Sequence, residues 1–182
     1  MQDIIGKFFI IIIGALFLFF VPVTVIALKQ DNTAQTYVDN AAVEFIDNAR
    51  ASAMITPEAY EKLIQKVDAA QPGCNIQLIH SAKYITPDYN NDALKLDGTD
   101  KYEYTAHQED YFKEDILEYM FYKDGADTRN TYYLKDGDYL KIIIDNKDNP
   151  TLGARLVGSI SSKYDQMTIY TSYGGFVGNY AQ

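Results

Sequence analysis

The first feature of the chain is an apolar run near its N-terminus. No charged residue occurs in residues 8–28, a stretch of 21 residues. A helix needs about 20 apolar residues to cross the hydrocarbon core of a bilayer. Lys7 and Lys29 flank the run, where their long side chains can reach the lipid headgroups. We therefore predict a transmembrane helix within a membrane anchor over residues 1–29, with the lipid bilayer as its partner.

A cleaved signal peptide is the alternative for this run. Val25 and Ala27 are small residues that would suit a signal-peptidase cut after Ala27. However, the apolar regions of signal peptides usually span ~7 to 15 residues, which is shorter than this run. We expect the anchor to be retained, giving a single-pass membrane protein. The flanking charges are nearly balanced, but the short N-terminal tail favours an N-in topology with the following domain extracytoplasmic.

A helical period continues beyond the anchor. Apolar residues recur on one face of residues 30–55, which predicts an amphipathic helical stalk that continues the membrane helix. Small residues in such a helix let the backbones of neighbouring helices approach closely. The predicted surface for packing against partner helices comprises Gly14, Ala34, Ala41, Ala42, Phe45 and Ala49.

Helical and strand periods alternate after the stalk. Thr56 suits an N-cap and Pro57 the first position of a helix, which Pro72 and Gly73 follow. The alternation of residues 74–78 then predicts a half-buried strand, and His80 falls on its apolar face. Residues 86–100 are polar and rich in turn formers, so they predict a loop before a second strand around residues 102–106.

The same patterns extend to the end of the chain. They predict a short amphipathic helix over 112–120 that stops at 123–125, and then a hairpin of strands 132–134 and 139–144 around Asp136 and Gly137. A further helix is expected to begin at Asn149 and Pro150, and a last strand is expected over 167–173, ending at Gly174 and Gly175. Residues 56–182 are therefore expected to form an α+β domain, in which a small antiparallel sheet carries two or three short helices.

Composition excludes some classes of partner. The formal net charge of -9 predicts that nucleic acid is not a partner, because phosphate backbones repel an acidic surface. Cys74 is the single cysteine, so no disulfide can form within the chain, and we interpret it as a buried thiol.

The sequence offers little support for catalysis. The two histidines, His80 and His107, belong to no motif, and we interpret His80 as a structural residue and His107 as solvated. Glu114, Asp115 and Glu118 predict a solvated acidic helix face rather than a pair of catalytic carboxylates. We therefore predict no catalytic residue, no cofactor site and no enzymatic activity.

Residues 88–99 match the pattern of a calcium-binding loop only in part. Asp88, Asn90 and Asp92 have the alternating oxygen ligands that open such a loop. However, Ala93 stands where the turn needs glycine, and Thr99 stands where a bidentate Glu closes the coordination shell. The sequence predicts no metal site.

The predicted anchor, stalk and small β-rich domain follow one another along the chain, and their distinctive segments are residues 8–28, 43–50, 137–144, 149–153 and 169–175. This layout resembles that of pilin-like proteins, and of TadE-like pseudopilins in particular. At Gly6 the prepilin-processing pattern is not matched, because Ile11 occupies the position where that pattern has Glu. The resemblance implies a membrane-held component of pilus assembly in a bacterial envelope, with no cofactor and no catalytic residue.

Two functions remain open at this point. The first is a non-enzymatic TadE-like component of a pilus or secretion apparatus, which contacts other pilus or envelope proteins through its N-terminal helix. The alternative is a membrane-tethered module for ligand binding or adhesion, in which tyrosine-rich strands form the contact surface. Its candidate contact residues are Tyr102, Tyr104, Tyr170 and Tyr173.

Overall fold

The computed structural model describes residues 2–88, 103–122, 129–158 and 169–178. In chain order the elements are α1 (Gln2–Ser52), β1 (Met54–Ile55), α2 (Pro57–Ala70), β2 (Asn75–Asp88), β3 (Glu103–Phe112), α3 (Lys113–Phe121), β4 (Tyr132–Tyr133), β5 (Tyr139–Asp145), α4 (Leu152–Gly158) and β6 (Tyr170–Phe176). The fold is α+β, as predicted from the sequence.

Helix α1 is a single helix of 51 residues. Pro22 lies inside it without ending it, as membrane helices tolerate. The part over Ile4–Ser52 is the one described helix that is long and apolar enough to cross a membrane. The predicted apolar helix near the N-terminus is therefore present.

The second half of α1 forms part of the domain core. Val38, Ala42 and Ile46 are fully buried there, among side chains from α2 and the sheet. Residues 30–55 therefore do not stand apart as a stalk, and they share one hydrophobic core with the rest of the chain. A stalk and a helix packed on its own sheet have the same amphipathic period, so the sequence pattern alone does not separate them.

The main sheet has four antiparallel strands in the order β3-β2-β5-β6. Its core face carries buried aliphatic residues on the two central strands, with Ile76 opposite Ile144 and Leu78 opposite Ile142. Helix α1 packs against β5 and β6. A second ribbon consists of β1 paired antiparallel with β4.

The predicted hairpin around Asp136 and Gly137 is wrong. The turn itself forms, because Gly137 takes a φ of +86° and the N–H of Asp138 donates to Lys135 O at 3.1 Å. However, β4 pairs with β1, whereas β5 pairs with β2 and β6. Turn chemistry fixes the local chain reversal, while burial on the sheet decides which strands become partners.

Two further boundaries differ from the sequence prediction. Helix α4 begins two residues later than predicted, and the hydroxyl of Thr151 caps it by accepting from the N–H of Ala154 at 3.2 Å. Strand β6 does not end at Gly174 and Gly175 but runs through them. A Cβ on Gly175 would lie 2.5 Å from Cζ of Arg50, so this glycine leaves room for the arginine of α1.

The helix over Pro57–Ala70 confirms the predicted start and end. Its N-cap is Thr56, whose hydroxyl accepts from the N–H of Ala59 at 3.2 Å, and Pro57 occupies the first turn. The predicted short helix before residue 123 is confirmed as α3, which buries Ile116 and Met120. The predicted stop at 123–125 lies outside the described residues.

Candidate functional site

The first half of α1 is an exposed apolar surface. Apart from Phe20, the large side chains from Ile4 to Ile26 are between 41% and 73% exposed, so the rest of the described chain leaves most of this surface uncovered. Soluble monomers rarely expose a continuous apolar surface of this length. The surface therefore needs either lipid or another helix as its cover.

The predicted helix-packing surface is largely wrong. Ala41, Ala42, Phe45 and Ala49 are each 6% exposed or less, because the chain's own core covers them. Ala34 is half-buried against the same core. Small residues on a stripe permit close approach to any neighbour, and here the neighbour is the domain itself.

Gly14 remains available from that predicted surface. It lies in the exposed apolar half of α1, and a Cβ placed on it would meet no atom within 4 Å. A glycine at such a position allows a second helix backbone to approach closely.

Polar side chains of α1 hold the outer edge of β6. Gln35 accepts from the N–H of Tyr170 and donates to its carbonyl, both at 3.0 Å. Arg50 donates from Nε to the carbonyl of Phe176 at 2.7 Å. The helix is thus hydrogen-bonded to both ends of the strand. The bonded residues are more than 120 positions apart in the sequence, so no local sequence pattern indicates these contacts.

Helix α4 contacts α1 where the apolar run ends. Thr151 donates its hydroxyl to Oδ2 of Asp31 at 2.6 Å. A Cβ on Gly153 would lie 2.1 Å from Asp31 Oδ2 and 3.2 Å from the carbonyl carbon of Ala27, so only glycine fits without a shift. Ala27 is 3% exposed beneath this contact. A glycine inside a helix is a sequence signal for such close packing, and Gly153 was not among the predicted packing residues.

His80 is a satisfied core residue, as predicted. It is 4% exposed, with Nε2 at 2.9 Å from Asp138 Oδ2 and Nδ1 at 2.8 Å from the hydroxyl of Tyr132. Its ring stacks on Tyr111 at a centroid distance of 5.7 Å. The sequence placed His80 on the core face but gave no indication of these partners.

The electrostatics of this cluster keep Asp138 ionised and Tyr132 neutral. Burial acts to raise the pKa of Asp138, but hydrogen bonds from the N–H groups of Lys135 and Lys83 and from His80 outweigh it, so the pKa is lowered. Burial, aided by the Asp138 carboxylate, raises the pKa of Tyr132 to about 12. Because Asp138 is 1% exposed, the chain of hydrogen bonds is closed to a substrate and serves the fold.

Ion pairs cross a groove between α1 and α2. Glu44 of α1 forms ion pairs with Lys66 and Lys62 of α2, and Lys66 is the main cause of the lowered pKa of Glu44. Both lysines that line the groove thus have an anionic partner across it.

The remaining candidates for chemistry are dispersed. Among the described residues, no three His, Cys, Asp or Glu side chains lie close enough together to hold a metal ion. Asn90, Asp92 and the rest of the rejected calcium loop beyond Asp88 lie outside the described residues. Glu114, Asp115 and Glu118 are exposed on α3, and Asp115 accepts from the N–H of Phe112 at 3.0 Å. His107 is exposed on β3.

The tyrosines of the adhesion hypothesis do not form a common exposed surface among the described residues. Tyr170 is 59% exposed, but Tyr173 is partly buried and donates to Asp47 at 3.1 Å. Tyr102 and the side chain of Tyr104 lie outside the described part of the chain. Cys74 is half-buried rather than buried, and burial raises the pKa of its thiol to about 11.

Comparison with known proteins finds no counterpart for this arrangement. No model of a protein family matches the chain, and neither a curated protein nor a solved structure matches it. The exposed half of α1 and its attachment to the domain are therefore the features that bear on function.

Proposed function

We propose that this chain is a non-enzymatic, pilin-like and TadE-like component of pilus or secretion-apparatus assembly. The observation that carries the proposal is the division of α1 into two halves. One half is exposed and apolar, and the other packs across an antiparallel sheet as part of the domain core. The order of a long apolar helix and a small antiparallel-sheet domain is the layout on which the resemblance to pilin-like proteins rests.

The bilayer is the cover of the apolar half before assembly, and partner helices replace lipid during assembly. The domain has an acidic composition, with the chain at a net charge of -9, so domains repel one another at a distance. Association is then favoured where the uncharged helices meet. Gly14 marks a point of close approach between helices.

A continuous helix also transmits orientation. Gln35 and Arg50 fasten α1 to β6, so the domain cannot swivel on the anchor without breaking these hydrogen bonds. A subunit that is to be stacked in a regular assembly needs such a fixed angle between its helix and its domain. The domain in this proposal lies outside the cytoplasm, with the N-terminus inside.

The test is Gly14→Leu, with Gly6→Leu as its matched control. Both glycines are exposed with no atom near a Cβ, but Gly6 lies outside the uncharged run 8–28. In the native cells, deletion of the gene should abolish surface filaments or secretion. Gly6→Leu should restore them and Gly14→Leu should not, while both proteins reach the membrane in equal amounts.

Two outcomes would count against the proposal in different ways. Full restoration by Gly14→Leu would remove this face of the helix as the packing surface. A deletion that leaves filaments, secretion and adhesion unchanged would contradict the assembly role itself.

A further inference from the structure

The position of the outer membrane boundary on α1 follows from its length. At ~1.5 Å per residue, the uncharged run 8–28 is about 31 Å long, which matches a hydrocarbon core of ~30 Å. Lys7 and Lys29 then lie at the two headgroup levels. The boundary on the domain side therefore falls at about Leu28 and Lys29.

Helix α4 lies at that same level. Gly153 contacts α1 at Ala27 and Asp31. Ala27 directly precedes Leu28, and Asp31 lies two residues after Lys29, so the two contacts lie on either side of the boundary. Phe20 and Thr24 lie on the same stripe of α1 as Ala27, and both are half-buried. The exposed phenylalanines of α1 are by contrast 61% to 73% exposed, namely Phe8, Phe9, Phe17 and Phe19.

The outer side of α4 has the chemistry of a membrane interface. Leu152 is 62% exposed although it is a large aliphatic residue, and Arg155 is exposed one turn further on. Lys29 supplies a second exposed cation at this level. The nearby Asp31 is turned inward, because its carboxylate accepts from Thr151.

We propose that α4 is a lipid-contacting surface, with Leu152 in the boundary between headgroups and acyl chains and with Arg155 and Lys29 at the lipid phosphates. Long cationic side chains reach headgroups while apolar ones enter the acyl region, and this surface supplies exposed side chains of both kinds. The occupant is the outer leaflet of the bilayer that holds α1. This inference rests on the membrane anchor of the proposed function, and it places the domain on the bilayer rather than above it on a stalk.

The test measures depth in the bilayer at three positions. In a Cys74→Ser background, the full chain carries Leu152→Cys, Phe17→Cys or Tyr133→Cys, each labelled with an environment-sensitive fluorophore. Each protein is reconstituted in vesicles of phosphatidylcholine and phosphatidylglycerol, with a doxyl quencher on the lipid chains. Phe17 reports on the anchor. Tyr133 is the control far from the membrane, because it is 70% exposed and pairs with Met54, just beyond the end of α1 and about 40 Å along the helix axis from Ala27.

The expected result is loss of emission at positions 17 and 152 and full emission at position 133. Quenching at 17 alone, with 152 behaving like 133, would overturn the α4 contact while leaving the anchor intact. Quenching at none of the positions would overturn the anchor and the proposed function with it. Equal quenching at all three would overturn the inference, because the contact would not be specific to α4.

Discussion

At the scale of single residues, Asp138 is the group on which the junction of β2, β4 and β5 depends. Pairing of β5 with β2 ends where Tyr139 meets Ser81. The carboxylate then accepts the next N–H of β2, from Lys83 at 3.1 Å, and the N–H of Lys135 at 2.7 Å. A side chain thus replaces the strand partner that β5 no longer provides.

Asp138→Asn should destabilise the protein by about 2 to 3 kcal/mol, because an amide nitrogen would replace one carboxylate oxygen and face a backbone N–H, from Lys83 or from Lys135, in a buried site. Asp136→Asn is the matched control, since Asp136 is exposed in the adjacent turn and its replacement removes the same charge. Chemical unfolding of the full chain in detergent, followed by circular dichroism, gives both values. Equal effects of the two changes would show that the buried hydrogen bonds contribute nothing specific.

The same residue predicts a pH dependence. Because the pKa of native Asp138 lies below its ordinary value of 3.8, its ionisation stabilises the fold fully above that pH. The contribution is lost as the pH falls through the native pKa. The difference in unfolding free energy between the wild type and Asp138→Asn should therefore be constant at neutral pH and narrow only below about pH 4. A difference that is unchanged at still lower pH would contradict this assignment.

At the scale of elements, the contact between α4 and α1 depends on a single glycine. Gly153→Ala should cost about 1 to 3 kcal/mol, since the added methyl group overlaps Asp31 and presses on the backbone at Ala27. Gly158→Ala in the same helix is the control, because a Cβ there meets no atom within 4 Å, and it should cause no loss. Thermal unfolding of the two variants in detergent checks the difference. Equal melting temperatures would mean that α4 does not sit tightly on α1.

Element types were predictable because they follow from short-range patterns. The cap at Thr56 and the alternation around Ile76 and Leu78 are readable within a few residues, and both are confirmed. The partners of elements were not predictable in this way. Asp136 and Gly137 specify a turn but not the pairing of the flanking strands, which depends on β2 more than 50 residues earlier.

The candidate site shows the same limit. The long apolar helix was predictable from the uncharged run 8–28, because such a run is typical of segments that cross hydrocarbon. The stripe containing Ala41 and Ala42 was assigned to the wrong neighbour, since a small-residue stripe is equally suited to the chain's own sheet. The contacts of Gln35 with Tyr170 and of Asp31 with Thr151 join residues more than 115 positions apart, beyond any local pattern.

At the scale of the whole molecule, α1 has an exposed apolar first half and a second half that is buried in the domain core. The buried half determines the shortest fragment that can fold. A chain starting at Gln30 keeps Val38, Ala42 and Ile46 and should be a soluble monomer that unfolds cooperatively. A chain starting at Thr56 loses one side of the core and should lack a cooperative transition, because these buried groups have no replacement. Circular dichroism melting and analytical ultracentrifugation distinguish the two. Cooperative unfolding of the shorter chain would restore the view of residues 30–55 as a separate stalk.

The position of Ala27 beneath α4 also bears on whether the chain is cleaved and how it is oriented in the membrane. A cut after Ala27 would remove the residue that Gly153 covers and separate the domain from the apolar half of α1. If the anchor is retained, the intact mass of the protein from bacterial membranes should correspond to the uncut chain. External protease should then digest the domain in cells stripped of their outer barrier, because an N-in helix carries the domain across the membrane. A released product beginning at Leu28 would instead identify a secreted domain, and it would remove both the helix-mediated assembly and the lipid contact of α4.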